Sequence, residues 1–149
     1  MNDARTLLDA LARIVASPGS PSGRRLAFIR LLQKARPLYT GIYLYRLQGD
    51  ELVLGEFVGR PTEHVRIPVG AGICGASAAS GSTIVVDDVG ADERYIACSL
   101  ETQSEIVVPI KRGGRYLAQI DIDSDRRAAF GPQDRWLLER AAALIEPLF

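Results

Sequence analysis

Apolar residues near the start of the chain recur at the spacing of an amphipathic α-helix over residues 3–17. The members of this stripe are Leu7, Leu8, Leu11, Ile14 and Val15. A Pro-, Gly- and Ser-rich stretch at 17–23 ends the pattern, because these residue types discourage helix continuation. A second helix is predicted from about 24 to 36. Pro37 ends it, since a proline ring disfavours helical geometry in the residue before it.

The pattern then changes to short segments rich in aromatic and β-branched residues, which predicts β-strands. Strands at 39–47 and 51–58 are joined through Gln48-Gly49-Asp50 and form a hairpin. The elements predicted next are a strand at 65–69, a glycine turn at 70–75, one or two helical turns at 76–80, a strand at 83–86 and a long loop at 87–98.

The last two predicted strands, at 104–112 and 115–124, carry the clearest alternation in the chain. Their apolar residues stand at even positions: Ile106, Val108, Ile110, Tyr116, Ala118, Ile120 and Ile122. Side chains alternate between the faces of a strand, so both even sets must face the core together. This register needs a hairpin loop with an odd number of residues, for which we predict Gly113-Gly114-Arg115. It sets Glu105 opposite Asp123.

A final helix is predicted after Gly131-Pro132, with a buried stripe formed by Trp136, Leu137, Ala141, Leu144 and Ile145. Consecutive hairpins together with helices predict an α+β fold, in which helices pack on an antiparallel sheet of about six strands. A Rossmann fold is disfavoured, because the regular alternation of strands and helices that it requires is missing. No repeat or long linker divides the chain. We therefore predict one domain over 1–149, with N-terminal helices in 1–37 and the core in 38–149.

Composition narrows the choice of partners. The 149 residues are 47% hydrophobic and 24% charged, which is typical of a soluble globular protein. Eighteen basic residues balance 18 acidic ones, so no basic field exists to hold nucleic acid or an anionic membrane. The apolar runs are far shorter than the roughly 20 residues of a membrane helix. The charged N-terminus does not resemble a signal peptide, so we expect a cytoplasmic location.

The two cysteines, Cys74 and Cys98, are too few for a small fold that is stabilised by disulfide bonds, and a reducing cytosol would keep them as free thiols. Cys74 lies in the glycine turn, at the expected start of a short helix, where free backbone N–H groups would lower the thiol pKa. Cys98 ends the long loop. On residue statistics alone, the commoner role for each is that of a small buried hydrophobic residue.

The odd positions of the last hairpin bring three carboxylates together, Glu105, Asp121 and Asp123. Like charges so close together favour retention of a proton or binding of a cation. A solvated sheet face is the simpler alternative, although apolar neighbours such as Val107 show that this face is not uniformly polar. A metal site is disfavoured, because no His or Cys accompanies the carboxylates at a ligand spacing. A cationic ligand group or a shared acidic proton fits better.

Aromatic residues at Tyr39, Tyr43 and Tyr45 alternate along one face of the first strand, where they would line a pocket or form ordinary core equally well. His64, the single histidine, is expected at the surface, at the start of a strand. The chain contains neither a G-x-S-x-G elbow nor a phosphate-binding loop, and no cofactor is predicted.

Four short motifs occur in order along the chain: Gly72-Ile73-Cys74-Gly75, Tyr95-Ile96-Ala97-Cys98, Ser104-Glu105-Ile106-Val107-Val108-Pro109 and Asp121-Ile122-Asp123-Ser124. Together they resemble the free methionine-(R)-sulfoxide reductases, over roughly residues 39–149. These enzymes are GAF domains, and the late Phe130…Asp134…Leu138-Glu139 pattern also looks like the end of a GAF domain. The resemblance implies a GAF-like, PAS-like antiparallel sheet sandwiched by helices. This agrees with the order of elements read from the pattern.

The resemblance also implies a role for each motif. Cys98 matches the catalytic thiol that attacks the sulfoxide sulfur, and Cys74 matches a resolving cysteine. Glu105, Asp121 and Asp123 match the carboxylates that bind substrate and hydrogen-bond the sulfoxide oxygen. The implied activity is reduction of free L-methionine-(R)-sulfoxide through a cysteine sulfenic acid and a disulfide, with thioredoxin as the recycling partner. The alternative is a GAF module that binds a small molecule or senses oxidants without turnover.

Three other positions bear on this resemblance. Tyr39 sits where relatives often carry a Trp that packs on the substrate methyl group. His64 occupies a position where members commonly carry a further Cys, so Cys74 would have to resolve alone. Ser99 stands where Asp is usual. The sequence does not specify an oligomeric state, and a homodimer is compatible with it.

Overall fold

The computed structural model describes residues 3–97 and 99–149, in which four α-helices accompany one six-stranded antiparallel sheet. The helices are α1 (Ala4–Ala16), α2 (Pro21–Ala35), α3 (Gly72–Ser80) and α4 (Pro132–Ile145). The strands are β1 (Gly41–Gln48), β2 (Glu51–Val58), β3 (Arg66–Pro68), β4 (Ile84–Val86), β5 (Ser104–Arg112) and β6 (Arg115–Ser124). Their order across the sheet is β3-β2-β1-β6-β5-β4. The α+β class predicted from the sequence is confirmed.

The sheet separates two hydrophobic clusters. Helices α1, α2 and α4 lie on one face, where their apolar side chains meet the even positions of β5 and β6 in what we call the helix-side cluster. The other face carries a smaller α3-side cluster, formed by Tyr43, Tyr45, Leu52, Ile67, Ile73, Cys74, Val86, Val89 and Val107. Among the described residues, no helix is long and apolar enough to span a bilayer.

The β5–β6 hairpin has the predicted register over most of its length, with Glu105 paired with Asp123 and Ile110 with Ala118. The predicted three-residue loop is wrong. Gly113 and Gly114 form a two-residue turn with φ of 57° and 81°, which glycine adopts without a Cβ penalty. A β-bulge beside the turn reconciles the two observations, because Leu117 is left without a partner in the ladder.

The bulge also corrects the predicted placement of Tyr116. Instead of joining the even core set, its ring packs against the α3-side cluster. One unpaired residue shifts the alternation by one, so the residues on the turn side of the bulge face the opposite way from prediction.

Two helices begin earlier than predicted. Helix α2 starts at Pro21, because the Ser20 hydroxyl accepts a hydrogen bond from the Gly23 amide at 3.0 Å and proline is tolerated at a first helical position. Helix α3 starts at Gly72 rather than near residue 76, so Cys74 lies inside it. Its small residues give no amphipathic pattern from which this start could be recognised.

Helix α4 buries a stripe that differs at its edge from the predicted one. Its buried residues are Leu137, Leu138, Ala141, Ala142 and Ile145. Trp136 is 38% exposed, and the Arg140 guanidinium lies 4.0 Å from the centre of its ring. The placement of Trp136 in the buried stripe is therefore wrong.

Candidate active site

Two adjacent central strands supply three carboxylates to the same face of the sheet. Glu105 on β5 lies opposite Asp123 on β6, and Asp121 lies two residues before Asp123 with its side chain on the same side. Their exposures are only 4%, 5% and 3% for Glu105, Asp123 and Asp121. The alternative of a solvated sheet face is therefore wrong, because this face is covered.

Helix α3 brings a thiol to these carboxylates. Cys74 is buried in the α3-side cluster, and its Sγ lies 4.0 Å from Oε2 of Glu105. Sγ of Cys74 and one carboxylate oxygen each of Glu105 and Asp121 all lie within 4.8 Å of one another. The structure thus brings together four of the residues predicted from the sequence, from segments far apart along the chain.

A small cavity opens beside this cluster. About 310 Å³ here is free of protein atoms, a figure that includes the open solvent at the mouth, and the enclosed part has room for little more than one water molecule. The residues that line it are Tyr45, His64, Ile67, Ala71, Gly72, Ile73, Cys74, Ile96, Glu105 and Asp121. The walls are mostly apolar, and a thiol and two carboxyl groups are the acidic groups among them. Such a lining suits a small molecule with an apolar part and a polar group that accepts or donates protons.

Two carboxylate oxygens in the cluster have no hydrogen-bond partner in the described part of the chain. They are Oδ1 of Asp121 and Oδ1 of Asp123, and both are fully buried. A buried polar atom without a partner costs free energy, which a ligand that supplies a donor would recover. These atoms indicate that a ligand or a shared proton completes the site.

Burial and mutual repulsion make these carboxyl groups weak acids. Burial, together with the neighbouring Asp123 carboxylate, raises the pKa of Asp121 to about 7. The pKa values of Glu105 and Asp123 are raised well above the ordinary carboxyl range, first by burial and then by charge repulsion within the cluster. At neutral pH the cluster therefore holds protons that a reacting oxygen could take up.

The pKa of the Cys74 thiol shifts in the direction opposite to the one that the sequence predicts. Burial raises it well above the ordinary value, and the nearby Asp121 and Glu105 carboxylates raise it further. The N-terminal turn of α3 favours a lower value, but desolvation and negative neighbours outweigh the helix dipole here. In this state Cys74 is a protonated thiol rather than a nucleophile.

The GAF domain family model matches residues 3–147 of the chain. The chain belongs to the GAF domain family. The match spans both the helices on one face of the sheet and the α3 side that holds the cavity.

Three relatives show which GAF domains this one is similar to. The free methionine-R-sulfoxide reductase of Escherichia coli is 37% identical over 108 residues, which are 72% of this chain and 64% of that protein. The free methionine-R-sulfoxide reductase of Neisseria meningitidis, solved in complex with its substrate, has a TM-score of 0.92 at 34% identity over 98% of this chain and 87% of the other. A putative GAF sensor protein from Burkholderia vietnamiensis has a TM-score of 0.89 at 33% identity over 95% and 90% of the two chains. The chain thus spans somewhat less than two thirds of the E. coli relative.

Of the other two residues of the predicted site, only Tyr39 is described, and it is not part of this cluster. Cys98, the predicted catalytic thiol, lies outside the described residues. Tyr39 lies in the helix-side cluster, where its hydroxyl donates to Oδ1 of Asp134 at 2.5 Å and its ring packs on Phe130. Because Tyr39 precedes β1, strand alternation does not carry it to the face of Tyr43 and Tyr45. The structure gives it a core position in the GAF domain, away from the cavity.

His64 and Ile96 are cavity residues that the pattern does not single out. The sequence predicts His64 at the surface, but it is half-buried and its Nε2 lies 3.0 Å from the Ala97 carbonyl oxygen. Ile96 packs against the start of α3, where a Cβ on Gly72 would approach its Cδ1 to 2.9 Å. The signal for Ile96 is its place in the motif that ends in Cys98.

A hydrogen-bond network from strand β6 holds the backbone around Cys74 in helix α3. The Gln119 amide donates to the Cys74 carbonyl oxygen at 3.1 Å and to the Tyr116 hydroxyl at 2.8 Å. The Tyr116 hydroxyl lies 3.1 Å from Oγ of Ser77 in α3. Gln119 is fully buried at an odd position of β6, so the same alternation that reveals the carboxylates could have identified it.

Cys74, Glu105 and Asp121 are also close enough together to hold a metal ion. A metal needs these ligands deprotonated, and burial raises all three pKa values. Protons and a metal ion would therefore compete for the same atoms. That this site works without a metal stays a prediction.

Proposed function

We propose that this GAF domain reduces free L-methionine-(R)-sulfoxide to methionine, with Cys98 as the nucleophile and Cys74 as the resolving thiol. The observation that supports the proposal most is the buried meeting of a thiol with Glu105, Asp121 and Asp123 beside a small cavity. The likeness to a reductase solved with its substrate supports the same reaction.

The first step requires a thiolate and an acid. The Cys98 thiolate attacks the sulfoxide sulfur, and a carboxyl group protonates the sulfoxide oxygen, which is a poor leaving group until then. Asp121 suits this task, because a pKa of about 7 leaves a large share of it protonated at neutral pH. The protonated oxygen then passes from the substrate sulfur to the Cys98 sulfur, and the bond formed between the two sulfurs breaks, which leaves Cys98 as a sulfenic acid and frees methionine. Methionine is thereby reduced and Cys98 oxidised.

The second step uses the thiol that burial keeps protonated. Cys74 condenses with the Cys98 sulfenic acid, which forms a disulfide and releases the oxygen as water. Glu105 lies 4.0 Å from Sγ of Cys74, so a carboxylate of the cluster that gave up its proton in the first step can accept the thiol proton. That proton leaves with the departing water. The cluster stays one proton short until the disulfide is reduced, because the protons that accompany the two electrons of that reduction restore it.

We also propose thioredoxin as the reductant and the cytosol as the compartment. Exchange with a dithiol protein returns the disulfide to two thiols while the partner becomes oxidised. A cycle that passes through free thiols needs a reducing environment, in which Cys74 stays unpaired.

The test follows NADPH consumption with thioredoxin, thioredoxin reductase and free methionine sulfoxide. We expect turnover with the (R) form, none in Cys98→Ser, and release of one methionine per chain without cycling in Cys74→Ser. Ser80→Ala, on the last turn of α3, is the matched control for a change on the same helix. Lack of methionine release from the folded wild-type chain, with dithiothreitol as well as thioredoxin, would refute the proposed reaction.

A second candidate function is a GAF module that senses oxidants or binds a small molecule without turnover. The similarity to a putative GAF sensor from Burkholderia vietnamiensis favours it, as does His64 at a position where reductases commonly carry a Cys. This function predicts stoichiometric oxidation of the thiols by peroxide and no methionine release. The same assay therefore separates the two candidates.

A further inference from the structure

One hydrogen bond from His64 joins two sides of the cavity. Its Nε2 lies 3.0 Å from the carbonyl oxygen of Ala97, which is 33 residues further along the chain. A carbonyl oxygen only accepts, so Nε2 carries a proton and donates it. Ala97 directly precedes Cys98. The bond therefore acts on the backbone of the segment that carries the proposed nucleophile.

The donor is itself anchored to the sheet. The His64 carbonyl oxygen accepts a hydrogen bond from the Tyr45 hydroxyl at 2.8 Å, and the His64 amide donates to Oγ1 of Thr62 at 3.1 Å. Tyr45 belongs to central strand β1 and is 1% exposed. Because the backbone of His64 is held on both sides, its imidazole presents a fixed donor rather than a mobile one.

The segment before Cys98 also has other contacts, among them packing of Tyr95 against the α3-side cluster. Ile96 packs on Gly72 at the start of α3, so closely that a Cβ on that glycine would lie 2.9 Å from Cδ1 of Ile96. Arg94 pairs with Asp92 at 2.7 Å, but that ion pair lies within the segment and does not tie it to the sheet. The bond from His64 adds a directional attachment to the segment between β2 and β3.

We propose that His64 is a positioning residue, which holds the Ala97 carbonyl and so restricts the backbone directly before Cys98 in the chain. The catalytic consequence of this inference rests on the proposed function, whereas the structural part does not. In the proposed reaction His64 exchanges no proton with either reacting sulfur. It acts through the backbone of Ala97.

The structural part is tested by hydrogen–deuterium exchange of the amides at 95–102 in the full chain. His64→Phe keeps a ring without the donor, His64→Ala is a second donor-free variant, and His64→Gln offers an amide N–H in its place. We expect exchange about 2- to 10-fold faster in the donor-free variants, the range set by one hydrogen bond, and near wild-type exchange in His64→Gln. Thr83→Val is the control, because it removes a long-range hydroxyl bond to Glu139 away from the cavity.

The catalytic part is tested by single-turnover methionine release from the same variants. We expect the maximal rate to fall by about 2- to 10-fold in His64→Phe and to recover in His64→Gln, with a smaller change in the half-saturating substrate concentration. Unchanged exchange in both donor-free variants would overturn the proposal, and so would faster exchange with an unchanged maximal rate. If the wild-type chain released no methionine, the proposed function would fail while the exchange result still decided the role of His64.

Discussion

Asp121→Asn provides a sharp test of the buried carboxylate cluster through its effect on stability. Asn has nearly the same shape as Asp but stays neutral at every pH. Burial and Asp123 raise the folded-state pKa of Asp121 from 3.8 to about 7. The folded protein therefore binds this proton more tightly than the unfolded chain. The resulting stability is fully present below the unfolded pKa and is lost as pH rises through about 7.

The size of the effect follows from those two pKa values. At pH 5 the solution is about 2 pH units below the folded pKa, and each unit corresponds to about 1.36 kcal/mol. The free energy of unfolding should thus fall by about 3 kcal/mol between pH 5 and pH 9 because of Asp121. Solvent does not screen the charge of Asp121 appreciably, since the residue is only 3% exposed. The Asp121→Asn variant should lack this fall in stability. The pKa of Glu105 should also be lower in the variant than in the wild type, because Asp121 helps to raise it.

The assay is urea unfolding followed by circular dichroism, from pH 5 to pH 9 under reducing conditions, for the wild type and Asp121→Asn. Asp9→Asn, at an exposed position of α1, controls for the loss of a carboxylate elsewhere. We expect the variant to become the more stable protein above pH 7. Parallel curves for the wild type and Asp121→Asn across the whole range would refute the raised pKa and with it the acid assigned to the first step.

Two further predictions concern the scaffold. Tyr39→Phe removes the hydroxyl that donates to Asp134, so the free energy of unfolding should fall by about 1.5–3 kcal/mol in urea titrations. A neutral effect would contradict the hydrogen bond between Tyr39 and Asp134. Gly75→Ala should lower the free energy of unfolding by about 1–3 kcal/mol, because the new Cβ would lie 2.6 Å from the Pro68 carbonyl oxygen. Gly55→Ala is the control, which should change the stability little because the atom nearest to its Cβ would lie at 3.4 Å.

Strand alternation makes the carboxylate cluster predictable. Residues two apart on one strand share a face, and a slip of one residue would expose the apolar even set. The pairing of Glu105 with Asp123 follows from that constraint and is confirmed. The bulge at Leu117 does not follow, because the even pattern continues through Tyr116 although the ladder shifts there.

Properties that depend on distant segments could not be predicted from local pattern. The thiol pKa of Cys74 is set by burial under residues from other elements, such as Ile67 of β3 and Val86 of β4. The contact between His64 and Ala97 joins positions 33 residues apart that share no periodicity. The start of α3 is hidden in the sequence because glycine and alanine leave no amphipathic signature.

The division of the sheet into two clusters has an evolutionary consequence. Outside the bulge near the turn, the even residues of β5 and β6 pack against three helices, whereas the odd residues face the side of α3 and the cavity. A substitution at an odd position alters the lining of the cavity while the larger hydrophobic layer behind it stays intact. Ligand preference and architecture can therefore drift almost separately within one pair of strands. A descendant of this chain could acquire another specificity by accumulating changes on a single side of its backbone.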